Sequence, residues 1–334
     1  MTDSEVLRAI VAGMAQMVDP LVVLVGPTAV GKTALSLRLA KAIHAEIVNI
    51  DSRQMYRYMD IGTAKPTPSQ RAKVPHHLLD VLSPDQPFTA AECQKRARQA
   101  IDDIRQQQRR VVIVAGSGLY LQALLYGLMP VPPANPSLRT ELRRYSERHG
   151  DAALHDLLQK ADPTYAAACH VRDRVRVVRA LEVTFLTGVP FSEHCSRHRA
   201  SEPFCPYVGI ALTRQRDDLY DRIGQRTDAM LGAGWLEEVK TLQAQGYTES
   251  CAAMNGLGYR ELLNYLAGGR GWQETVEAIK QATRRLAKRQ LTWFCRMQDL
   301  NWYNLSDADE NVTVTEIINR LRTGQHFREE TPYP

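Results

Sequence analysis

The octapeptide GPTAVGKT at 26–33 directly follows the apolar run LVVLV at 21–25. It satisfies G-x-x-x-x-G-K-[ST], a spacing that lets a glycine-rich turn surround phosphate oxygens with backbone N–H groups. The motif restricts the fold tightly, because such a loop works only between a buried strand and a helix. Both flanks are present. The run 21–25 reads as a buried parallel strand. From Thr33 onward, Leu35, Leu39, Ala42 and Ile43 recur at helical spacing. Gly26, Pro27, Thr28, Ala29, Val30, Gly31, Lys32 and Thr33 are therefore assigned to an anion cradle. Lys32 is expected to reach the terminal phosphate, and the Thr33 hydroxyl to ligate Mg2+.

The alternation continues along the chain. AEIVNIDS (45–52), RVVIVAG (110–116) and, more weakly, HHLLDVL (76–82) read as strands; 89–110 and 118–127 read as helices. This order predicts the α/β class, with a three-layer αβα P-loop core built on a parallel sheet. At 129–136 the segment MPVPPANP interrupts the pattern. Only helical signals follow to about residue 198, which predicts an all-helical insertion. PYVGIALTR (206–214) returns to strand chemistry, long helices follow, and NWYNLS (301–306) reads as a last strand. The expected organisation is an N-terminal extension at 1–18, core at 19–128, helical insertion at 129–205, core with basic helices at 206–310, and a polar tail at 311–334.

Composition narrows the setting more than the chemistry. The first twenty residues carry early acids and lack a basic start followed by a long apolar run, so a secretory signal is not expected. No segment approaches the roughly 20 apolar residues of a membrane span. Six cysteines form neither C-x-x-C nor zinc-finger spacing, so free thiols in a cytoplasmic, reducing compartment are expected. A net charge of +5 suits an acidic partner without selecting one.

Ligands of open α/β sheets bind beyond the carboxyl ends of the strands. Besides the P-loop, two strand ends qualify: Asp51–Ser52 and Gly116–Ser117–Gly118. Asp51 is the general-base candidate, since a carboxylate near a nucleophile accepts its proton; an outer Mg2+ ligand or a turn cap are its alternative roles. Ser117 offers a hydroxyl to phosphate or substrate, or else only turn chemistry. A clear acid for attack at phosphorus is missing, because RVVIVAGSG ends in glycine and serine; Asp80 is the one substitute in view. Arg222 and Arg226, one helical turn apart, can clamp a diphosphate or pair with Asp218, Asp221 and Asp228. Two basic stripes stand out. Arg172, Arg176 and Arg179 share a helical face, with Val175, Val178 and Leu181 turned to the core. Arg284, Arg285, Lys288, Arg289 and Arg296 interleave with Trp293 and Phe294. Such stripes suit a phosphate backbone with stacked bases, and equally a solvated helix face.

The blocks GPTAVGKT, DSRQMYRYMDIGTAKP (51–66), AGSGLYLQAL, RVRVVRALEV (174–183) and NGLGYREL (255–262) together resemble the bacterial tRNA dimethylallyltransferase (tRNA isopentenyltransferase) family, from about residue 21 to about 306. The resemblance implies transfer of an allylic C5 group from dimethylallyl diphosphate to N6 of the adenosine on the 3′ side of the anticodon. Diphosphate would leave whole. It implies Asp51 as base, Ser117 where the family usually has threonine, and Arg226 with the P-loop on the diphosphate. Thr28 would add a hydroxyl. It further implies tRNA contacts from Asp51, Ser52, Arg53, Gln54, Ser117 and Arg139. The corresponding later segments hold Val175, Arg176, Val177, Val178 and Arg179; Gly256, Leu257, Gly258, Tyr259, Arg260 and Glu261; and Arg289, Trp293 and Arg296. The expected partners are the tRNA anticodon stem-loop and dimethylallyl diphosphate, bound by a monomer. The target base would have to leave its stack to react.

Three rivals share parts of this pattern. A P-loop small-molecule or nucleoside kinase needs a nucleoside triphosphate but no basic helices. A non-catalytic RNA-binding module needs no base at 51. A prenyltransferase acting on free nucleotide needs no helical insertion.

Overall fold

The computed structural model describes residues 19–199, 202–297, 299–306 and 310–323. Two compact units divide the chain: Tyr126–Phe204 forms one, and the segments before and after it form the other.

The larger unit is built on one sheet of six parallel strands in the order β3-β2-β4-β1-β5-β6. The strands are β1 (Leu21–Val25), β2 (Ala45–Ile50), β3 (His76–His77), β4 (Arg110–Ala115), β5 (Tyr207–Thr213) and β6 (Leu300–Asn304). Every residue of β1 is buried, as a central strand covered on both faces must be. Helix α1 (Lys32–Ala42) packs Leu35, Leu39 and Ala40 over Val22 and Leu24. Next come α2 (Pro68–Arg71) and α3 (Ala90–Gln106); α3 buries Cys93, Ala97, Ile101 and Ile104 and lies against β2 and β4. The register places the site. Ala115 pairs with Val25 on one side and with Ile50 on the other. Gly26, Asp51 and Gly116 therefore follow three adjacent strands at the same level.

Two expectations in this unit need correction. The segment 76–82 contributes only two residues to the sheet. Beyond them Leu78 and Asp80 adopt positive φ (63° and 56°), and the chain is held by side chains instead. Buried Lys65 donates to the Tyr56 carbonyl at 2.7 Å, Asp60 Oδ1 at 2.6 Å and Asp80 Oδ1 at 2.7 Å. Arg71 pairs with the other Asp80 oxygen. Asp80 is thus fixed in an ion-pair cluster and cannot stand in as the missing acid. The segment read as a polar tail is helical from Glu310 to Thr323, where Val314 and Ile317 are buried in the cluster that holds α1. Residues 1–18 and 324–334 lie outside the described residues.

The smaller unit contains α4 (Gly118–Tyr126) only at its last residue, then α5 (Pro136–Ala161), α6 (Pro163–Ala168), α7 (Arg174–Thr187) and α8 (Phe191–Arg199). Two helical stretches of α5 meet at Gly150, whose φ of 88° suits glycine. Leu142, Leu154, Leu158, Val177, Val178, Leu181 and Phe191 form the core. Val178 and Leu181 face inward as expected, but Val175 is 81% exposed and Val177 is buried. The buried stripe therefore begins at Val177, and Val175 sits in the exposed first turn. Arg172 precedes the helix, so it does not share a helical face with Arg176.

A buried carboxylate organises this unit. Glu182 is inaccessible to solvent and accepts hydrogen bonds from Asn135 N at 2.6 Å, both forks of Arg139 at 2.9 Å, and Arg179. Burial alone would raise its pKa; the hydrogen bonds from Arg139, Arg179 and the Asn135 amide outweigh that effect and hold it below the usual value. Arg139 and Arg179 are structural partners of Glu182 and keep about a third of their side chains exposed. Glu182→Gln is expected to lower the opening free energy of residues 126–204 by about 3–5 kcal/mol, because two arginines lose the charge that balances them. Native-state hydrogen exchange across the unit measures it.

Candidate active site

The P-loop is shaped from outside by cations. Lys32 Nζ donates to Gly26 O at 2.7 Å and to Pro27 O at 2.8 Å. In the helix α9 (Arg216–Gly232), Arg222 Nε donates to Ala29 O at 3.1 Å. Arg214, buried at the end of β5, donates through Nε to Val30 O at 3.0 Å. Across a trans peptide the carbonyl and the next N–H point oppositely, so fixing Val30 O turns Gly31 N–H the other way. At the start of α1 the N–H groups of Lys32, Thr33 and Ala34 have no intrahelical acceptor. These amides and the dipole of α1 make the anion site. Gly26 has φ 149°, and an added Cβ would come within 2.7 Å of Leu212 O. Only glycine permits that approach of β1 to β5.

One loop amide is already engaged. Thr28 N donates to Gln290 Oε1 at 2.8 Å. Gln290 belongs to α12 (Trp272–Phe294), and the preceding helices of this region are α10 (Trp235–Ala244) and α11 (Tyr259–Leu266).

Opposite the P-loop, Asp51 Oδ1 accepts from Arg53 N at 2.8 Å and Gln54 N at 3.2 Å. The turn-cap reading is therefore realised, and the Asp51 side chain also lines the cleft. Ser117 Oγ accepts from Ser52 N at 3.1 Å, so its hydroxyl ties the two strand-end loops together. A cleft of about 1110 Å³ lies between these parts. Its walls include Thr28 to Thr33, Asp51 to Gln54, Gly116, Arg222, Arg226, Arg260, Arg285 and Arg289; Ser117 is not among them.

The cations of the cleft crowd one another. Lys32 is pushed down to about 7, first by burial and then by the neighbouring Arg226, with Asp51 acting the other way. Arg226 is lowered by burial and by Arg222. It forms no ion pair or hydrogen bond among the described residues, whereas Asp218 is held by Arg214 and Ser306 and Asp228 by Lys280. The expected surface pairing of Arg222 and Arg226 with these acids does not occur. An anion entering here would raise the Lys32 pKa. Below pH 7 the amine is protonated before and after binding, so its contribution is flat. Above pH 7 binding must take up a proton, and affinity for inorganic diphosphate is expected to fall by up to tenfold per pH unit. Calorimetry of Lys32→Arg, whose charge does not titrate, separates this from ionisation of diphosphate itself.

The remaining assigned residues divide by burial. Tyr259 is 1% exposed and donates its hydroxyl to Glu238 Oε1 at 2.7 Å. Glu261 is buried, accepting from Gly258 N at 2.7 Å and from Arg260 at 2.7 Å. Gly258 lies against Trp235, leaving no room for a Cβ. These three shape the turn that presents Gly256, Leu257 and Arg260 to the cleft. Arg53 holds the same turn through Ala252 O at 2.9 Å, and Gln54 Nε2 holds Thr63 O at 3.1 Å. Arg289, Trp293 and Arg296 are exposed; Phe294 is fully buried and cannot stack a base. Arg139 and residues 175–179 belong to the helical unit, where Arg176 pairs with Asp173 at 2.6 Å.

Gln290, Arg214 and Glu238 were not legible as site residues. Glu238 accepts from the amides of Asp60, Ile61 and Gly62. Their partners lie roughly 90 to 260 residues away in sequence, beyond any local pattern.

For Mg2+, the fit rests on Thr33. Its hydroxyl lines the cleft with no hydrogen-bond partner among the described residues. No cluster of three His, Cys, Asp or Glu side chains able to hold a metal occurs among the described residues. A hydroxyl with phosphate oxygens is a donor set suited to Mg2+.

A parallel sheet with a P-loop after β1 and a carboxylate after β2, one strand removed, defines a P-loop α/β protein. The chain belongs to the IPP transferase family, whose model matches residues 54–297. It is 47% identical over 284 residues to a tRNA dimethylallyltransferase of Geobacter sulfurreducens, covering 84% of this chain and 91% of that one. It is 48% identical over 304 residues to one from Symbiobacterium thermophilum, covering 90% and 94%. The crystal structure of the full-length tRNA isopentenylpyrophosphate transferase from Bacillus halodurans matches with a TM-score of 0.69 at 39% identity, over 92% of this chain and 96% of that one. A eukaryotic dimethylallyltransferase captured acting on tRNA matches at 0.76 with 25% identity, over 93% and 81%.

Proposed function

We propose that this protein transfers a dimethylallyl group from dimethylallyl diphosphate to the exocyclic N6 of the adenosine 3′-adjacent to the anticodon of tRNA. One observation carries the reading. Lys32, Arg226 and the free amides of α1 face the same cleft as Asp51, from strands in register. An anionic leaving group and a proton acceptor are thereby held on the two sides of one reacting carbon.

The C1–O bond to diphosphate breaks as N6 bonds to C1. Adenine N6 is a weak nucleophile until its proton can leave, and the Asp51 carboxylate accepts it. Charge accumulating on the departing diphosphate meets Lys32, Arg226 and the amides, groups fixed before the reaction starts. Thr33 would hold Mg2+, which supplies further charge neutralisation at the leaving oxygens. The extruded base is reached most easily from an anticodon loop, where unstacking costs a few kcal/mol or less. Arg260, Arg285, Arg289, Trp293 and Arg296 are the exposed side chains for RNA on this unit, and Val175 and Arg176 on the helical one. Recognition of the stem-loop is by shape and unstacked bases.

Among the described residues no helix is long and apolar enough to cross a membrane, and all six cysteines are free. We place the protein in the cytoplasm with its tRNA, as a monomer. The test is incubation with Mg2+, dimethylallyl diphosphate and unmodified tRNA, followed by nucleoside mass spectrometry. A prenylated adenosine beside the anticodon is expected. Product with AMP but not tRNA, or phosphoryl transfer from ATP, would overturn the reading.

A further inference from the structure

We infer that Gln290 is a positioning residue that sets the spacing between the leaving-group cradle and the base, an assignment that rests on the transfer reading above. Its carboxamide uses both ends. Oε1 accepts from Thr28 N of the P-loop at 2.8 Å, and Nε2 donates to Gly116 O at the end of β4 at 2.8 Å. From Gly116 the path continues without a gap. Gly116 N and Ser117 N donate to Ile50 O at 3.2 and 3.4 Å, and Ser117 Oγ accepts from Ser52 N at 3.1 Å. Ile50 and Ser52 flank Asp51. One side chain on α12 thus joins the two halves of the site.

The neighbouring contacts fix where that side chain sits. One helical turn short of it, Leu286 and Ala287 are partly or fully buried. Three residues beyond, Trp293 packs so closely on Gly118 that an added Cβ would lie 2.1 Å from its ring. Gln290 is anchored on both sides at the cleft wall, and both ends of its carboxamide are spent on the two loops. The amide it takes, Thr28 N, lies within the loop turn; the amides at the start of α1 stay free for the anion. A carboxamide accepts from an N–H and donates to a C=O at these positions at any pH, whereas a carboxyl does both only when protonated.

The experiment compares two variants with the parent protein in the tRNA assay. Gln290→Met keeps the length and loses both bonds. Its kcat is expected to fall about 10- to 100-fold with KM for both substrates within about twofold, because misplacement of this kind acts on orientation rather than binding. Gln290→Glu keeps the acceptor and loses the donor. Facing a carbonyl, its carboxyl titrates above the ordinary value of about 4.3. Once protonated it donates to Gly116 O again, so the ratio of its kcat to the parent's is expected to climb as pH falls from 8 to 5. The ratio for Gln290→Met should stay flat. Residues 50–56 and 111–121 should exchange amide hydrogen faster in Gln290→Met, a readout independent of turnover. A parent protein that prenylates tRNA, with both variants within twofold of its kcat or with losses confined to KM, overturns the inference. Unchanged exchange in Gln290→Met also overturns it, even if the parent proves inactive and the transfer reading itself fails.

Discussion

Lys32→Ala is expected to lower kcat for prenylation by about 100- to 1,000-fold, the cost of removing one preorganised donor from a developing anion, with tRNA affinity little changed. The structure gives two reasons for an effect of this size. Lys32 is a cation held out of water beside another cation, Arg226, an arrangement that repels itself until an anion arrives. The same ammonium fixes the carbonyls of Gly26 and Pro27, so its loss also loosens the loop. Lys32→Arg separates the two contributions, keeping charge while its planar fork fits the compact site poorly. Steady-state kinetics with labelled dimethylallyl diphosphate, alongside tRNA binding by filter retention, measure the split. Undiminished turnover in Lys32→Ala would remove the leaving-group cradle from the mechanism.

Asp51→Asn is expected to cost about 100- to 10,000-fold in kcat, the usual span for loss of a general base. Asparagine is the informative replacement. Its Oδ1 can still accept from Arg53 N and Gln54 N, so the turn at 51–54 survives while the proton acceptor is lost. Alanine would remove both and confound folding with chemistry. Binding of dimethylallyl diphosphate and of tRNA should remain within a few-fold. Turnover in Asp51→Asn within tenfold of the parent's would assign the base elsewhere.

The core was readable because its signals are local. A strand, a glycine-rich turn and an amphipathic helix occupy consecutive residues at 21–43, and the strands at 45–50, 110–115 and 207–213 are continuous apolar runs. Their order was not readable, since β4 slips between β1 and β2 by pairings that leave no periodic trace. The reading weakened wherever side chains replace backbone ladders. Segment 54–82 is held by Lys65 and Gln54 from within and by Glu238 from far along the chain, so its apolar run did not make a long strand. Val175 was read as core but falls in the exposed first turn of α7, while Val178 and Leu181 keep the expected phase. The ion pairs of Arg139 and Arg179 were not legible because their shared counter-charge, Glu182, is hidden inside an apolar stretch of α7, and Arg139 reaches it from α5. Asp51 and the P-loop were found because both lie at strand ends, where chain direction alone fixes location.

The strand β1 has consequences for how the polypeptide is made. Its first neighbour, β4, is complete by residue 115, but its second, β5, pairs Tyr207 with Leu21 only after the whole helical unit has been synthesised. During that interval β1 is a free edge of leucine and valine, the kind of edge that recruits other chains. The helical unit has local contacts and can fold rapidly while the edge waits. The phosphate loop waits as well, because Leu212 and Arg214 form its outer wall. A nascent chain therefore has no anion site until roughly two-thirds of it exists, and substrate cannot assist the early, aggregation-exposed stage of its folding.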